Sequence, residues 1–157
     1  MPDWVDKAYN LKTMTTTDKI LDILNSMTTG SDALLNTVLY ESGFGANVRL
    51  DRLPDPAAIL YMLQSWTLDT DTMFKHPEVD VEIFFCKRCD LAAKGEKIKE
   101  TMDEIEPIVD EFISLILSDR SMVVTEIKAQ TAYGRFDCNV CGYSLTFKVK
   151  DKQGKCL

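Results

Sequence analysis

One apolar stripe constrains this chain more than any other feature. Between Ala92 and Leu117, the residues Ile98, Met102, Ile105, Val109, Phe112 and Ile116 recur at steps of four and three. That spacing stacks side chains on one face of an α-helix. Ile108, Ile113, Leu115 and Leu117 widen the stripe toward its C-terminal end. The pattern predicts a helix over 92–117 that must lay one face on an apolar layer. Pro107 lies inside it, removes a backbone donor, and predicts a kink or a break near Ile105. The rest of the helix surface is charged. Lys94, Lys97 and Lys99 lead into Glu96, Glu100, Asp103, Glu104, Glu106, Asp110 and Glu111. These carboxylates read as the solvated face of an amphipathic helix rather than a catalytic or metal cluster. No Glu-x-x-His pair accompanies them, so a di-iron site lacks its imidazoles.

The apolar layer that such a helix needs is found in the flanking segments. Val79, Val81, Ile83 and Phe85 alternate with Asp80, Glu82 and Phe84, which predicts a strand over 78–85 with its carboxylates outward. The row Ile59-Leu60-Tyr61-Met62-Leu63 within 57–66 shows no polar alternation and predicts a strand covered on both faces. Pro54-Asp55-Pro56 punctuates its start. After the long helix, 122–131 and Tyr143–Lys150 read as two more strands, folded into an antiparallel pair by the link from Tyr133 to Gly142. Before the strands, Ile20, Leu21, Ile23, Leu24 and Met27 form a helical face. Thr16 or Thr17 is its expected cap, Asp18 suits the positive end of its dipole, and Thr28-Thr29-Gly30 ends it.

Shorter segments are less determinate. Leu34 to Tyr40 fits helix or strand, 42–47 reads as a loop, and 48–53 as a short strand. The stretch 68–75 reads as a polar turn. The predicted order is helix, two or three strands, long helix, two strands. It defines an α+β fold in which an antiparallel or mixed β-sheet carries a leading helix and one long amphipathic helix on one face. A length of 157 residues suits a single domain over 1–157, with 1–14 as an N-terminal arm and 151–157 as a polar C-terminal tail. Trp4 is expected to dock the arm and Trp66 to pack at a sheet edge.

Composition removes several function classes. Hydrophobic residues make up 45 % and charged residues 27 %, which excludes a disordered or coiled-coil chain. No apolar run is long enough to cross a bilayer as a helix, and the start Met1-Pro2-Asp3-Trp4-Val5-Asp6 does not read as a signal peptide. A net charge of −7 argues against sequence-independent grip on a nucleic acid backbone. The single histidine, His76, falls in a turn-like segment and reads as a solvated loop residue. Gly43-Phe44-Gly45 lacks a third glycine and a preceding strand. No Walker loop, Gly-x-Ser-x-Gly or His-Glu-x-x-His motif is present. No catalytic or cofactor-binding residues are assigned, and the chain is not expected to be an enzyme.

The cysteines carry the sharpest local signal. Of five, Cys86 and Cys89 form one C-x-x-C pair, Cys138 and Cys141 a second, and Cys156 lies next to the C-terminal residue. Two such pairs supply the four thiolates of a tetrahedral zinc, and Gly142 after the second favours a tight turn with amides aimed at sulfur. The separation of 48 residues between Cys89 and Cys138 exceeds that of a compact zinc ribbon. Three readings remain: half-buried thiols at strand ends in a reducing compartment, a structural zinc on Cys86, Cys89, Cys138 and Cys141, and a disulfide or redox pair. A thioredoxin-like site is disfavoured because neither pair opens a helix within a βαβ unit.

Taken together, several elements resemble the bacteriophage tail-terminator and head–tail joining proteins of the minor tail protein U type. They are the leading helix with Ile20 to Met27, the proline-introduced strand Leu53-Pro54-Asp55-Pro56-Ala57-Ala58-Ile59-Leu60-Tyr61, and the strand Val79 to Phe85 running into the long helix. To these is added the closing segment Phe136-Asp137-Cys138-Asn139-Val140-Cys141-Gly142-Tyr143-Ser144-Leu145-Thr146-Phe147, similar to an Asp-x-Asn-x-x-Gly-then-strand pattern of such proteins. The C-x-x-C pairs depart from that pattern. The resemblance spans about Thr15 to Lys150 and implies a structural virion protein. Such a protein forms a hexameric ring that caps the tail tube and joins it to the head connector. Its partners would be further copies of itself, the tail tube protein and connector proteins, with no sequence-specific nucleic acid and no membrane. Its place would be the virion neck, after assembly in the host cytoplasm. Sheet edges and the loops 42–47 and 67–77 are the expected contacts, because a ring needs two different patches per subunit. The alternative is a small zinc-binding adaptor or regulatory module built on the two cysteine pairs.

Overall fold

The computed structural model describes residues 15–40, 54–89, 95–133, 140–151 and 155–156. The arm 1–14, the loop 42–47, the candidate strand 48–53 and Cys138 lie outside the described residues. Helix α1 (Thr16–Ser26) is capped by Thr15 rather than by Thr16 or Thr17. The reason is a reciprocal pair of bonds: the Asp18 amide donates to Thr15 Oγ1 and the Thr15 amide to Asp18 Oδ2, each at 3.2 Å. Only a threonine three residues ahead of Asp18 can close this capping box. Ile20 and Leu24, one turn apart, are fully buried. Gly30 follows the helix with φ +88°, a conformation that glycine adopts without a side-chain penalty.

The ambiguous segment resolves as strand β1 (Thr37–Tyr40). It pairs in parallel with β2 (Ala57–Asp69), with Thr37 opposite Ala57. Its entry is tied to the proline-rich stretch. The Asn36 amide donates to the Pro56 carbonyl at 2.9 Å, and Thr37 Oγ1 to the Pro54 carbonyl at 2.8 Å. Ala57 to Leu60 are buried on both faces, as the unbroken apolar row requires.

Strand β3 (Phe74–Arg88) is longer than the alternating core of 78–85, and β2 runs on to Asp69. The predicted polar turn over 68–75 therefore contracts to 70–73, and His76 lies within a strand rather than a loop. The turn is held by Asp69 Oδ1, which accepts the amides of Asp71 at 3.0 Å and Thr72 at 3.4 Å. This side-chain mimic of a backbone turn needs few residues, so long strands flank it.

Helix α2 (Gly95–Ser118) is one uninterrupted helix with Pro107 inside it, so the break expected near Ile105 does not occur. Its stripe is buried at Met102, Ile105, Ile108, Val109, Phe112 and Ile116. The seven carboxylates are all exposed. Strand β4 (Met122–Tyr133) and strand β5 (Val140–Asp151) form the antiparallel pair, and a two-residue β6 (Lys155–Cys156) turns the polar tail back onto β3 at Phe74 and Lys75.

The sheet order is β1-β2-β3-β5-β4. All pairs but β1–β2 are antiparallel. Val79, Val81, Ile83 and Phe85 of β3 join Leu145, Phe147 and Val149 of β5 and the stripes of both helices in one cluster. Phe112 sits between Phe85 and Phe147, with ring centroids at 5.6 and 6.0 Å in tilted geometry. The alternate residues face the other way. Leu39, Ala57, Ile59, Phe84, Cys86 and Val140 form a second, smaller cluster on the opposite side of the sheet. The fold is α+β with the long helix on one face, as the two periodicities require.

Candidate functional site

Two features stand out after the core is accounted for: the end of the sheet that carries the cysteines, and the two outer strands. At the cysteine end, the register sets Lys87 opposite Cys141 and Cys86 opposite Gly142. Side chains of Cα partners share a face, and neighbours along a strand do not. Lys87 reaches the helix side, where its ammonium pairs with Glu104 of α2. Cys141 is therefore on the helix side too. Cys89 follows the end of β3 two residues beyond Lys87. Cys86 is buried on the opposite face with Phe84 and Ile59. The β3 end is pinned from outside by its own backbone: the Arg88 amide donates to Asp55 Oδ2 at 2.8 Å.

The two motifs are thus split across the sheet, with Cys141 on the helix side and Cys86 on the opposite face. Cys138 lies outside the described residues. Among the described residues, no three histidine, cysteine or carboxylate side chains gather as a metal-holding group. Gly142, expected in a tight turn around sulfur, is an extended residue of β5. Its role is close approach. A Cβ there would lie 1.7 Å from the Phe85 carbonyl oxygen and 2.8 Å from the Cys86 Cα. Burial first, and the Cys89 thiol second, push the Cys141 thiol up from 9.0 to about 12. It is a neutral thiol at physiological pH, not an activated nucleophile.

The polar half of the bare sheet face is internally matched. Glu78 lies opposite Lys150 and Asp80 opposite Lys148 across β3 and β5, and Ser144 Oγ donates to Glu82 Oε1 at 2.8 Å. A depression of about 490 Å³ there is lined by Tyr61, Asp80, Glu82, Glu126, Thr146 and Lys148 among others. Lys148 pairs with Glu126 at 3.6 Å. These cross-strand charges compensate one another and read as a solvated sheet surface. On α2, Lys99 pairs with Asp103 one turn on, at 2.7 Å, in full solvent.

The outer strands were named in the sequence only as sheet edges. Among the described residues, strand β1 has no partner along its far edge at one end of the sheet, and β4 has none at the other. They differ. β1 has 4 residues and ends on Tyr40, which is 56 % exposed. β4 has 12 residues, and from Thr125 to Thr131 it is exposed on both faces. Val123 and Ile127 are 40 % and 38 % exposed on it. A bulge between Thr125 and Lys128 places Glu126 at φ 57°. The expected contact loop 67–77 is the end of the β2–β3 hairpin, with Met73 at φ 57° and 46 % exposed. No helix among the described residues is long and apolar enough to cross a membrane. No protein-family model and no curated protein matches the chain.

Proposed function

We propose that this chain is a ring-forming structural subunit of the bacteriophage tail-terminator or head–tail joining kind. One observation carries the reading: among the described residues the sheet ends in two unlike open edges. A contact that is two-fold symmetric uses one patch twice. A head-to-tail contact uses two different patches and closes into a ring. The strand directions support the second. β4 runs parallel to β3, and β1 runs antiparallel to both, because β1 follows β2. Laying the β1 edge of one copy against the β4 edge of the next therefore makes an antiparallel ladder, the geometry with straighter hydrogen bonds. Long edges with exposed apolar side chains are otherwise an aggregation hazard, and β4 is one of them. The element order of the tail-terminator resemblance, a leading helix, strands, a long helix and a closing hairpin, is also that of this fold.

The zinc-module alternative requires Cys86 beside Cys89 and Cys141, and Cys86 faces the other side of β3. Native mass spectrometry of the purified protein at neutral pH, without chelator, separates the two. A metal-free closed oligomer of more than two copies is the expected result. A monomer carrying one zinc would replace the ring reading with the adaptor module.

A further inference from the structure

The arm 1–14 joins the described fold at Thr15, beside an open surface, the step between α2 and β4. Helix α2 packs over β5 and β3. One flank of it looks toward β3 and α1: Glu104 meets Lys87 of β3, and Glu111 and Leu115 line a depression with Met27 and Leu34. The opposite flank looks toward β4, which lies on the other side of β5. That flank carries Asp103, Glu106, Asp110, Ile113 and Leu117 at steps of three and four. Beside it, Val124, Ala129 and Thr131 take the helix side of β4, because their partners Val149, Leu145 and Tyr143 belong to or pack against the core there. Ala129, Thr131 and the three carboxylates are exposed, and Leu117 is 56 % exposed. We infer that the arm docks in this step on its own chain, with Leu11 and Tyr9 against Leu117, Ile113 and Val124, and Lys7 against Asp110 and Glu106.

Three observations choose this occupant. The first is where the arm starts. Lys19 Nζ donates to Ser121 Oγ at 3.0 Å, and the Lys19 amide donates to the Thr15 carbonyl one turn earlier. Ser121 stands at the mouth of the step, between the end of α2 and the first residue of β4. The second is length. From Ser121 to Thr131 the step follows about 33 Å of strand. The chain from Val5 to Thr15 reaches about the same 33 Å when extended. The third is the order of side chains. Glu104 stands at the Lys87 end of β3 and α2 exits into the start of β4, so Leu117 and Ile113 lie near the mouth and Asp110 and Glu106 farther in. Counting back from Thr15, the arm presents Leu11 and Tyr9 before Lys7, with Lys12 at the mouth. In an extended chain Leu11, Tyr9, Lys7 and Val5 share one side, and Asp6 takes the other. Apolar groups thus meet apolar groups, and the cation meets the carboxylates.

The inference is independent of ring assembly. The arm covers the helix-side face of β4, whereas the ring contact uses the outer edge of that strand.

The test is carbodiimide cross-linking of the full chain, which turns an amine and a carboxylate in contact into an amide. Unlabelled protein and protein labelled with heavy nitrogen are mixed, cross-linked, digested and read by mass spectrometry. A Lys7–Asp110 or Lys7–Glu106 link is expected, joining light to light and heavy to heavy only. In Leu117→Ser, an exposed site that the fold tolerates, the yield of that link should fall several-fold, while the Lys87–Glu104 link stays unchanged. Lys7 linked mainly to other carboxylates or to none would overturn the inference. So would a Lys7 link between a light and a heavy chain, or a Leu117→Ser yield equal to that of the unmodified chain.

Discussion

β3 and β4 flank the same strand. Each pairs with β5 through ten or more register positions, yet they meet opposite fates. From Val81 to Cys86 only Glu82 of β3 is more than marginally exposed, because α2 covers one face and the smaller cluster lies on the other. From Thr125 to Thr131, β4 is exposed on both faces. The ladder of hydrogen bonds alone therefore does not decide which strand is core. Coverage by a second layer decides it. The centre of the sheet holds the fold together, and its rim at β4 is uncovered. That division can be attacked from both sides.

The largest effect belongs to the centre. Phe112→Ala should lower stability by about 3–5 kcal/mol, since the ring fills the space between Phe85 and Phe147. Chemical denaturation of the purified variant reads it, and a loss under about 1 kcal/mol would mean the helix–sheet seam is not the core. Next, Gly142→Ala should cost about 3 kcal/mol or prevent folding, because its methyl would collide with the Phe85 carbonyl at 1.7 Å. Full stability of that variant would show that β3 and β5 are not so closely apposed.

A pH effect follows from Cys141. Its folded-state pKa is raised above its ordinary value of 9.0 to about 12. Below pH 9 the thiol is protonated in both states and the native contribution is intact. Between pH 9 and 12 only the unfolded chain loses the proton, so the folding equilibrium falls by up to tenfold per pH unit. Thermal melts across this range check it, and Cys141→Ala should flatten the decline. A smaller gain is expected at the hairpin tip. Met73→Gly removes an exposed side chain from a left-handed conformation and should stabilise by on the order of 0.5 kcal/mol.

The smallest effect on the monomer belongs to the rim. Ile127→Lys and Tyr40→Lys replace exposed residues and should leave stability within about 0.5 kcal/mol. Both should weaken assembly, because an added lysine opposes pairing at an open strand edge.

The difference between centre and rim also explains what the sequence disclosed. The stripe from Ile98 to Ile116 and the alternation from Val79 to Phe85 each report burial on one face, and the fold class follows from the pair. Thr15, Thr16 and Thr17 are chemically alike, and only the reciprocal bond to Asp18 makes Thr15 the cap. The hairpin tip is narrower than the turn-like stretch Leu68 to Lys75, because strands beyond the covered part of a sheet carry no hydrophobic pattern. Helix α2 runs through Pro107, since a buried stripe on both sides outweighs one lost donor. The cysteine geometry was hidden for a different reason. C-x-x-C spacing suggests that Cys86 and Cys89 act together, whereas a strand that continues to Arg88 puts Cys86 on the far face. Nothing in the sequence marked β4 as exposed on both faces, because its weak alternation matches that of a half-buried strand.

The unlike-edge account is tested most directly by mixing. Tyr40→Lys spoils the β1 edge and keeps β4, while Ile127→Lys spoils β4 and keeps β1. Alone, each should run as a monomer in native mass spectrometry. Mixed, they should form a one-to-one dimer and nothing larger, since a single intact head-to-tail contact remains. A Tyr40→Lys homodimer, or two variants that stay monomeric together while the unmodified chain assembles, would contradict head-to-tail closure through these edges.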